Sequence, residues 1–427
     1  MADLEIAILM SAAAWLLMGR TLTSAACLVT MLPFLSLGED VSGIDATDAS
    51  GASAYKLLGR GVGALLLVAL AASDSRSLRF LQGASARLAF GFAFVAILSV
   101  VNAPYPQLPF IRIGEWAVFF LAGVVVHSRV TLRSGDEGLV RLLLGSLLPL
   151  VAMALFLSVT NADAVIEVRT ADQMSRLGGR LIDPQSLGLI GAFFGIAGIA
   201  VFLSGRGGAG AGLVALSAFG VGALLITQSH SRTGLLSFAA GAGTFFLLDS
   251  RRNPAALIAL AVGGAMGVTA LPFVADGLAS WFLRGESAEN LSTGSSRTLL
   301  WSALIFESFP LEPLLGHGYL FLGPDGPLRA AGAEWSNAHN AYIFALVSTG
   351  IVGFSLLLGM VIFGLRSWFR IAATRATAGG SWVIRRGLCA CYVTLLVDAC
   401  SNYGMVGHPS PAMFLFHLLF CRATLGR

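Results

Sequence analysis

The chain has 427 residues, of which 56% are hydrophobic and 12% are charged, about half of the charged fraction that a soluble surface needs. Its mean hydropathy is +0.80 and its formal net charge is +4. This composition excludes a disordered chain, a disulfide-stapled secreted domain and a nucleic-acid-binding module, and it indicates a protein that uses lipid as its solvent.

Apolar segments long enough to cross a bilayer, roughly 17–25 residues, recur along the chain. Residues 4–37 fit either a hairpin of two short helices broken at Arg20 or one span with a re-entrant piece. Further spans are predicted at 57–73, 88–103, 111–128, 137–159, 185–204, 210–228, 232–249, 254–272, 340–365, 384–403 and 409–422. The sequence therefore predicts an all-α polytopic membrane protein, one integral membrane domain over residues 1–427 with about 12–13 transmembrane helices.

Arginine clusters fall on alternate connections between these spans, as expected for the cytoplasmic side of a membrane. They are Arg76, Arg79 and Arg87; Arg129, Arg133 and Arg141; Arg206; Arg251 and Arg252; Arg366, Arg370, Arg375, Arg385 and Arg386; and Arg422 and Arg427. The other connections are predicted to face outward, among them the long loop 273–339, which we expect to contain short helices. This topology places the C-terminus in the cytoplasm.

Ionisable side chains near helix ends on the predicted outer side indicate a function, because placing charge near lipid is costly. They are Arg112 with Glu115, Arg169, Arg176, Arg180, His230, Arg232, Arg284, Arg297, His317 and His339. The arginines predict a site for an anionic ligand, since a guanidinium donates paired hydrogen bonds to phosphate. The alternative is that each arginine reaches a lipid headgroup or a surface ion pair.

Arg169, Arg176 and Arg180 would share one face if their segment were helical. Gly178 and Gly179 disfavour a continuous helix here. A turn that points Arg176 and Arg180 at one ligand is therefore an equal alternative. No Asp-x-Asp, paired carboxylates or His-x-x-His spacing accompanies these arginines, so no metal site and no cofactor are expected.

His339 is the candidate general base, since an imidazole titrates near neutrality and stands here where the long loop ends and a helix begins. A single histidine at a helix start is also a common cap or surface residue. Asp398 lies in a predicted span, where it is either a proton relay of a transporter or a partner for a neighbouring helix.

Three runs within residues 229–355 resemble the O-antigen ligase and polysaccharide polymerase superfamily of bacterial envelopes. They are Ser231-Arg232-Thr233-Gly234; Ser296-Arg297-Thr298-Leu299-Leu300-Trp301 followed by residues 313–319; and His339-Asn340 followed by Gly350-Ile351-Val352-Gly353. Ser296 stands where the family commonly has glycine. Arg180 followed by Asp183-Pro184-Gln185 is a looser similarity.

The resemblance implies a C-type glycosyltransferase architecture in the bacterial inner membrane, with a periplasmic active site. It implies metal-independent, inverting transfer from an undecaprenyl-diphosphate-linked glycan. By the resemblance, Arg232 and Arg297 bind the donor diphosphate and His339 activates the acceptor hydroxyl. From the arginine set itself, we expect Arg176 and Arg180 to bind the same diphosphate.

The function that we expect first is a polymerase of O-antigen or exopolysaccharide, which residues 313–319 favour. The alternative is a ligase that transfers the glycan to lipid A core. The partners would then be the lipid-linked glycan, an acceptor glycan or lipid A core, membrane lipid and envelope polysaccharide assembly proteins. A secondary transporter or lipid flippase is the remote alternative from another class. Such folds carry polar groups near the bilayer midplane, whereas the ionisable residues of this sequence gather at one face.

Overall fold

The structure is a computed structural model, and it describes residues 2–18, 21–31, 54–103, 107–167, 175–178, 182–205, 208–250, 297–319, 338–374, 381–407 and 410–425, with the single positions 277, 279, 281 and 283. Within this part of the chain, five helical stretches are long and apolar enough to cross a membrane. The prediction of an all-α polytopic membrane protein is confirmed. The count of 12–13 spans stays a prediction, since the span at 254–272 lies outside the described residues.

The first half of the chain forms eight helices within the described residues. They are α1 (Ala2–Leu17), α2 (Leu22–Met31), α3 (Ala54–Ala72), α4 (Ser75–Phe80), α5 (Ala84–Leu98), α6 (Gln107–Val126), α7 (Leu132–Thr160) and α8 (Ala162–Val165). Helices α1 and α2 contact each other, and both alternatives for residues 4–37 stay predictions, since residues 19–20 and 32–37 lie outside the described part of the chain. A 3-10 turn, Ser99–Asn102, extends α5, and a π-helical turn, His127–Thr131, joins α6 to α7.

The second half begins with a short antiparallel hairpin and continues as helices. The elements are β1 (Ile166–Glu167), β2 (Arg176–Leu177), α9 (Pro184–Leu203), α10 (Gly208–Gln228), α11 (Arg232–Ser250), α12 (Arg297–Ala303), α13 (Ala341–Ala373), α14 (Ser381–Asp398) and α15 (Pro411–Thr424). A π-helical turn, Leu304–Ser308, and a 3-10 turn, Phe309–Leu311, extend α12. Arg176 therefore lies in a strand and not in a helix, and Glu167 lies opposite it.

Helices α9 and α15 form the centre of the described bundle. In the most apolar stretch of α9, 78% of the residues are buried, against 28% in α10, so α10 is the more peripheral of the two within the described residues. Nearly every side chain of α15 is buried. Protein therefore surrounds this helix on all sides, and its 14 residues rise only about 21 Å, less than the roughly 30 Å of a hydrocarbon core.

The connections between helices gather at two ends of the bundle. At one end, here called the Asp136 end, the carboxylate of Asp136 accepts from Nε of Arg385 at 3.0 Å and from Nε of Arg422 at 2.5 Å, joining α7, α14 and α15. The opposite end, called the His339 end, holds the starts of α9, α11, α13 and α15. This sorting agrees with the alternation of the arginine clusters, and which end faces the cytoplasm stays a prediction.

Candidate functional site

The start of α11 shows why its Ser-Arg-Thr-Gly run has this form. Ser231 caps the helix, because its Oγ accepts a hydrogen bond from the amide of Gly234 at 3.0 Å. A Cβ added at Gly234 would lie 2.8 Å from the backbone of Gly188, so only glycine allows α11 this close to α9. Between the cap and the glycine, Arg232 occupies the first turn, half-buried at the His339 end.

The start of α13 fixes the position of His339. Oδ1 of Asn340 accepts from the amides of Tyr342 and Ile343 at 2.9 and 3.0 Å, which caps the helix. Its Nδ2 donates to the carbonyl of Cys400 at 2.8 Å. Because Asn340 is tied both to its own helix and to the end of α14, the half-buried His339 before it has little freedom to move.

His339 and His230 are the two non-glycine residues with positive φ within the described chain, at 46° and 48°. This left-handed region costs a side chain on the order of 1 kcal/mol or more, and such residues cluster at functional sites. Each histidine directly precedes a helix cap, Asn340 or Ser231. The strain lies where the chain turns into the two helices that carry the predicted site.

Residues 399–403, here called the site turn, connect the predicted site residues. Oγ of Ser401 shares a hydrogen bond of 2.9 Å with Oγ1 of Thr233, the neighbour of Arg232. The carbonyl of Ser401 accepts from Nη1 of Arg297 at 3.3 Å. The ring of Tyr403 meets the ring of His339 edge to face, with centroids 6.4 Å apart. The structure therefore brings together the starts of α11 and α12 and His339, which precedes the cap of α13.

The sequence did not predict this turn, because the apolar run 384–403 was assigned wholly to a helix. The structure ends α14 at Asp398. The amides of Cys400 and Ser401 then bond three residues back, to Val397 and Asp398, and the side chain of Asn402 accepts from the amide of Gly404 at 3.0 Å. The helix thus gives way to a tight turn, which is followed by a turn that the side chain of Asn402 holds.

Helix α12 is held against the residue before His339. The indole Nε1 of Trp301 donates to the carbonyl of Ala338 at 2.8 Å, one turn of helix after Arg297. A buried indole N–H needs such an acceptor. Arg297 and His339 are thus positioned by the same helix, from its first and second turns.

Helix α13 is broken at Gly350, where φ is 64°. Residues 313–318 fill the break: the amides of His317 and Gly318 donate to the carbonyls of Val347 and Ser348 at 2.9 and 3.1 Å. A Cβ at Gly350 would lie 2.2 Å from the carbonyl of Leu314. Glycine is required here, and the paired segment fixes the first half of α13, which follows His339.

The side chain of His317 has a structural role in this pairing. Its Nε2 donates to the carbonyl of Ser308 at 2.8 Å, across the turn that its own segment makes. The side chain of Asn102 donates to Glu312 and to the carbonyl of Gly316 at 3.0 and 2.9 Å. The segment is therefore anchored to the end of α5 as well as to α13.

Arg176 lies close to the start of α11. It is 8% exposed, and its Nε donates to the carbonyl of Ser229 at 3.1 Å, two residues before Ser231. It thus supports the connection that leads to Arg232. Arg180, the fourth arginine predicted to bind the diphosphate, lies outside the described residues.

Asp398 is the last residue of α14 and 2% exposed, so it lies at the His339 end rather than mid-span. Its carboxylate interacts with the side chain of Asn402. Within the described residues, no group of three His, Cys, Asp or Glu side chains is placed to hold a metal ion, and metal independence stays a prediction.

Comparison with known proteins gives one family. No curated protein matches the chain. Residues 216–358, about a third of the chain, match the model of a family described as O-antigen ligase. This segment contains Arg232, Arg297, His339 and the broken part of α13, so the similarity to this family covers the candidate site.

Proposed function

We propose that this protein is a membrane glycosyltransferase that moves a glycan from undecaprenyl diphosphate to the hydroxyl of an acceptor sugar, without a metal and with inversion. The observation that carries the proposal is the site turn. It contacts Arg297, His339 and Thr233, and Thr233 directly follows Arg232. Two arginines supply positive charge for a diphosphate, and an imidazole supplies a base.

In the proposed reaction, the acceptor hydroxyl oxygen forms a bond to the anomeric carbon as the bond from that carbon to the diphosphate oxygen breaks. His339 takes the hydroxyl proton, and the electron pair of the broken bond leaves with the diphosphate. Arg232 and Arg297 bind the departing diphosphate, an electrostatic contribution of about 3 kcal/mol per well-placed donor. Arg176 and Arg180 are proposed to complete this anionic site.

The proposed location is the bacterial inner membrane, with the His339 end facing the periplasm and the C-terminus in the cytoplasm. The arginine-rich connections support this orientation, because positive residues concentrate in cytoplasmic loops. The donor's polyprenyl chain would stay among the helices in the lipid.

A polymerase of O-antigen or exopolysaccharide is the first candidate, on the sequence of residues 313–319. A ligase that uses lipid A core as acceptor is the second candidate, and the description of the matched family favours it. Both use the same donor and the same three residues, so the acceptor alone distinguishes them.

A transporter is the alternative from another class, and a broken helix is one of its usual features. In α13, however, the two carbonyls beside the break, those of Val347 and Ser348, accept from the amides of His317 and Gly318. A break filled by the protein's own backbone offers no ion site at those carbonyls. This contact supports a structural role for the break.

The test is incubation of the purified protein with an undecaprenyl-diphosphate-linked repeat unit and a chelator, with and without lipid A core, followed by electrophoresis of the products. A ladder from the donor alone supports the polymerase. One shifted product that needs lipid A core supports the ligase. No transfer under either condition contradicts the proposal and favours a transporter.

A further inference from the structure

The backbone of His339 is fixed on both sides, whereas its side chain needs a further contact to set its direction. Before it, the carbonyl of Ala338 accepts from the indole of Trp301 at 2.8 Å. After it, Asn340 caps α13. A general base must also direct one ring nitrogen at the hydroxyl, within about 2.6–3.2 Å. The last side-chain torsion of a histidine has no sharp preference of its own, so a neighbouring group has to set it.

Tyr403 makes a contact of this kind. Its ring meets that of His339 at 83°, with the centroids 6.4 Å apart. Aromatic pairs prefer such an edge-to-face arrangement at separations of about 4.5–7 Å. Rotation of the imidazole about its last torsion changes the angle between the two rings. The contact therefore favours one orientation of the imidazole.

The position of Tyr403 is fixed by its own turn. Its carbonyl accepts from the amides of Val406 and Gly407 at 3.1 and 2.7 Å. A Cβ added at Gly407 would overlap Cδ2 of the tyrosine ring, so glycine leaves the space that this ring occupies. The turn thus presents the ring of Tyr403 in one place, next to His339.

Buried aromatic side chains support this turn from behind. Tyr403 packs on Phe344 with centroids 5.9 Å apart, and Phe344 packs on Tyr319 at 6.3 Å. Phe344 and Tyr319 are 1% and 0% exposed. The hydroxyl of Tyr319 donates to the carbonyl of Val406, whose amide closes the turn. Because Phe344 lies in the first turn of α13, the helix that follows His339 also positions Tyr403.

We propose that Tyr403 is the positioning residue of the general base, and that its ring holds the imidazole of His339 with one nitrogen toward the acceptor hydroxyl. This step rests on the proposed function. The proton passes from the hydroxyl to that nitrogen, and Tyr403 takes no part in the bond changes. A displacement of about 1 Å can cost about a hundredfold in rate. The ring of Tyr403 thus acts on the rate at saturation, and the diphosphate is bound by other residues, Arg232 and Arg297.

The test is a double-mutant cycle between the two rings. Tyr403→Leu and Tyr403→Met remove the aromatic ring, whereas Tyr403→Phe removes only the hydroxyl. Each is made in the wild-type protein and in His339→Ala. The matched control is Tyr342→Leu, the same substitution three residues after His339, where the tyrosine hydroxyl donates to the carbonyl of Leu396 at 3.3 Å.

For each variant, kcat is measured with the lipid-linked repeat unit and the acceptor that the wild-type protein uses, together with both KM values. Binding of undecaprenyl diphosphate and thermal unfolding are measured on the same preparation. We expect Tyr403→Leu and Tyr403→Met to lower kcat by about tenfold, with the donor KM and diphosphate binding unchanged. Tyr403→Phe keeps the ring and should retain the wild-type kcat, as should Tyr342→Leu.

In the His339→Ala background, the same ring deletions should leave the residual rate unchanged, because a positioning residue acts only through the base that it positions. An equal fold-loss in both backgrounds would overturn the proposal. So would a wild-type kcat in the ring-deleted variants, or a Tyr403→Phe variant as impaired as Tyr403→Leu. If Tyr403→Leu loses its fold, Tyr403→Met makes the same comparison. Absence of transfer by the wild-type protein would instead remove the proposed function, and this inference with it.

Discussion

The carbonyl oxygen of Ser401 accepts a hydrogen bond from Nη1 of Arg297 at 3.3 Å, between residues that are 104 positions apart in sequence. The same serine shares a side-chain hydrogen bond with Thr233 at the start of α11. One residue of the site turn thus holds two helix starts, each with an arginine that is proposed to bind the donor diphosphate.

The link between Ser401 and Thr233 can be broken without touching either arginine. We expect Ser401→Ala to weaken donor binding by about fivefold, since one neutral hydrogen bond contributes roughly 1 kcal/mol. Thr233→Val should have a similar effect. The double variant should be no worse than either single one if the two hydroxyls act through one bond. Additive losses in the dissociation constant for undecaprenyl diphosphate would contradict this link.

Arg297→Ala should weaken the binding of undecaprenyl diphosphate by about tenfold or more, because a hydrogen bond to a charged group contributes roughly 1.5–3 kcal/mol. Arg297→Lys should keep the charge and recover part of the affinity. Ser302→Ala is the control, since Ser302 is on the exposed side of the same helix. Equal affinity of the alanine variant and the wild-type protein for the lipid would remove Arg297 from the donor site.

Much of the fold followed from apolar segment lengths, because the bilayer sets a fixed span. The predicted starts at 185, 210 and 232 lie within two residues of those of α9, α10 and α11. The end of α14 was missed, since the predicted span ran on to Tyr403 and the turn there is held by individual hydrogen bonds, such as the one that Asn402 accepts from the amide of Gly404. A hydropathy pattern does not register a single hydrogen bond.

The candidate site was predicted in part for a related reason. Arg232, Arg297 and His339 stood out as charges near helix ends on the outer side, and their motifs resembled a family. Ser401 and Tyr403 carry no charge, and their contacts join segments that are distant in sequence. Only the packing of α14 against α11 and α13 brings them to the site.

Gly350→Ala tests the break in α13. The added Cβ would meet the carbonyl of Leu314, and the backbone has φ of 64°, which disfavours any side chain. We expect a loss of folded protein and a lower unfolding temperature, as a strained position costs on the order of 1–3 kcal/mol. Gly359→Ala is the matched control on the same helix, where the nearest atom would be 3.6 Å away. Equal stability of the two variants would contradict the account of the break.

Cys400 reports the orientation of the His339 end. Of the five cysteines, Cys400 is the exposed one and the other four are buried. In cells with the inner membrane intact and the outer membrane opened, we expect a membrane-impermeant maleimide to label the wild-type protein, and Cys400→Ser to remove the label. Labelling that appears only after the inner membrane is permeabilised would reverse the predicted topology.

The most direct test of the account is His339→Ala in the purified transfer assay, with undecaprenyl diphosphate binding and thermal unfolding measured on the same preparation. Loss of a general base lowers the rate by about 10²–10⁴-fold, and the arginines that bind the donor remain in place. The account therefore predicts transfer reduced by at least about a hundredfold with donor affinity and folding retained. Turnover by His339→Ala at the wild-type rate would contradict the central claim that His339 takes the proton of the acceptor hydroxyl.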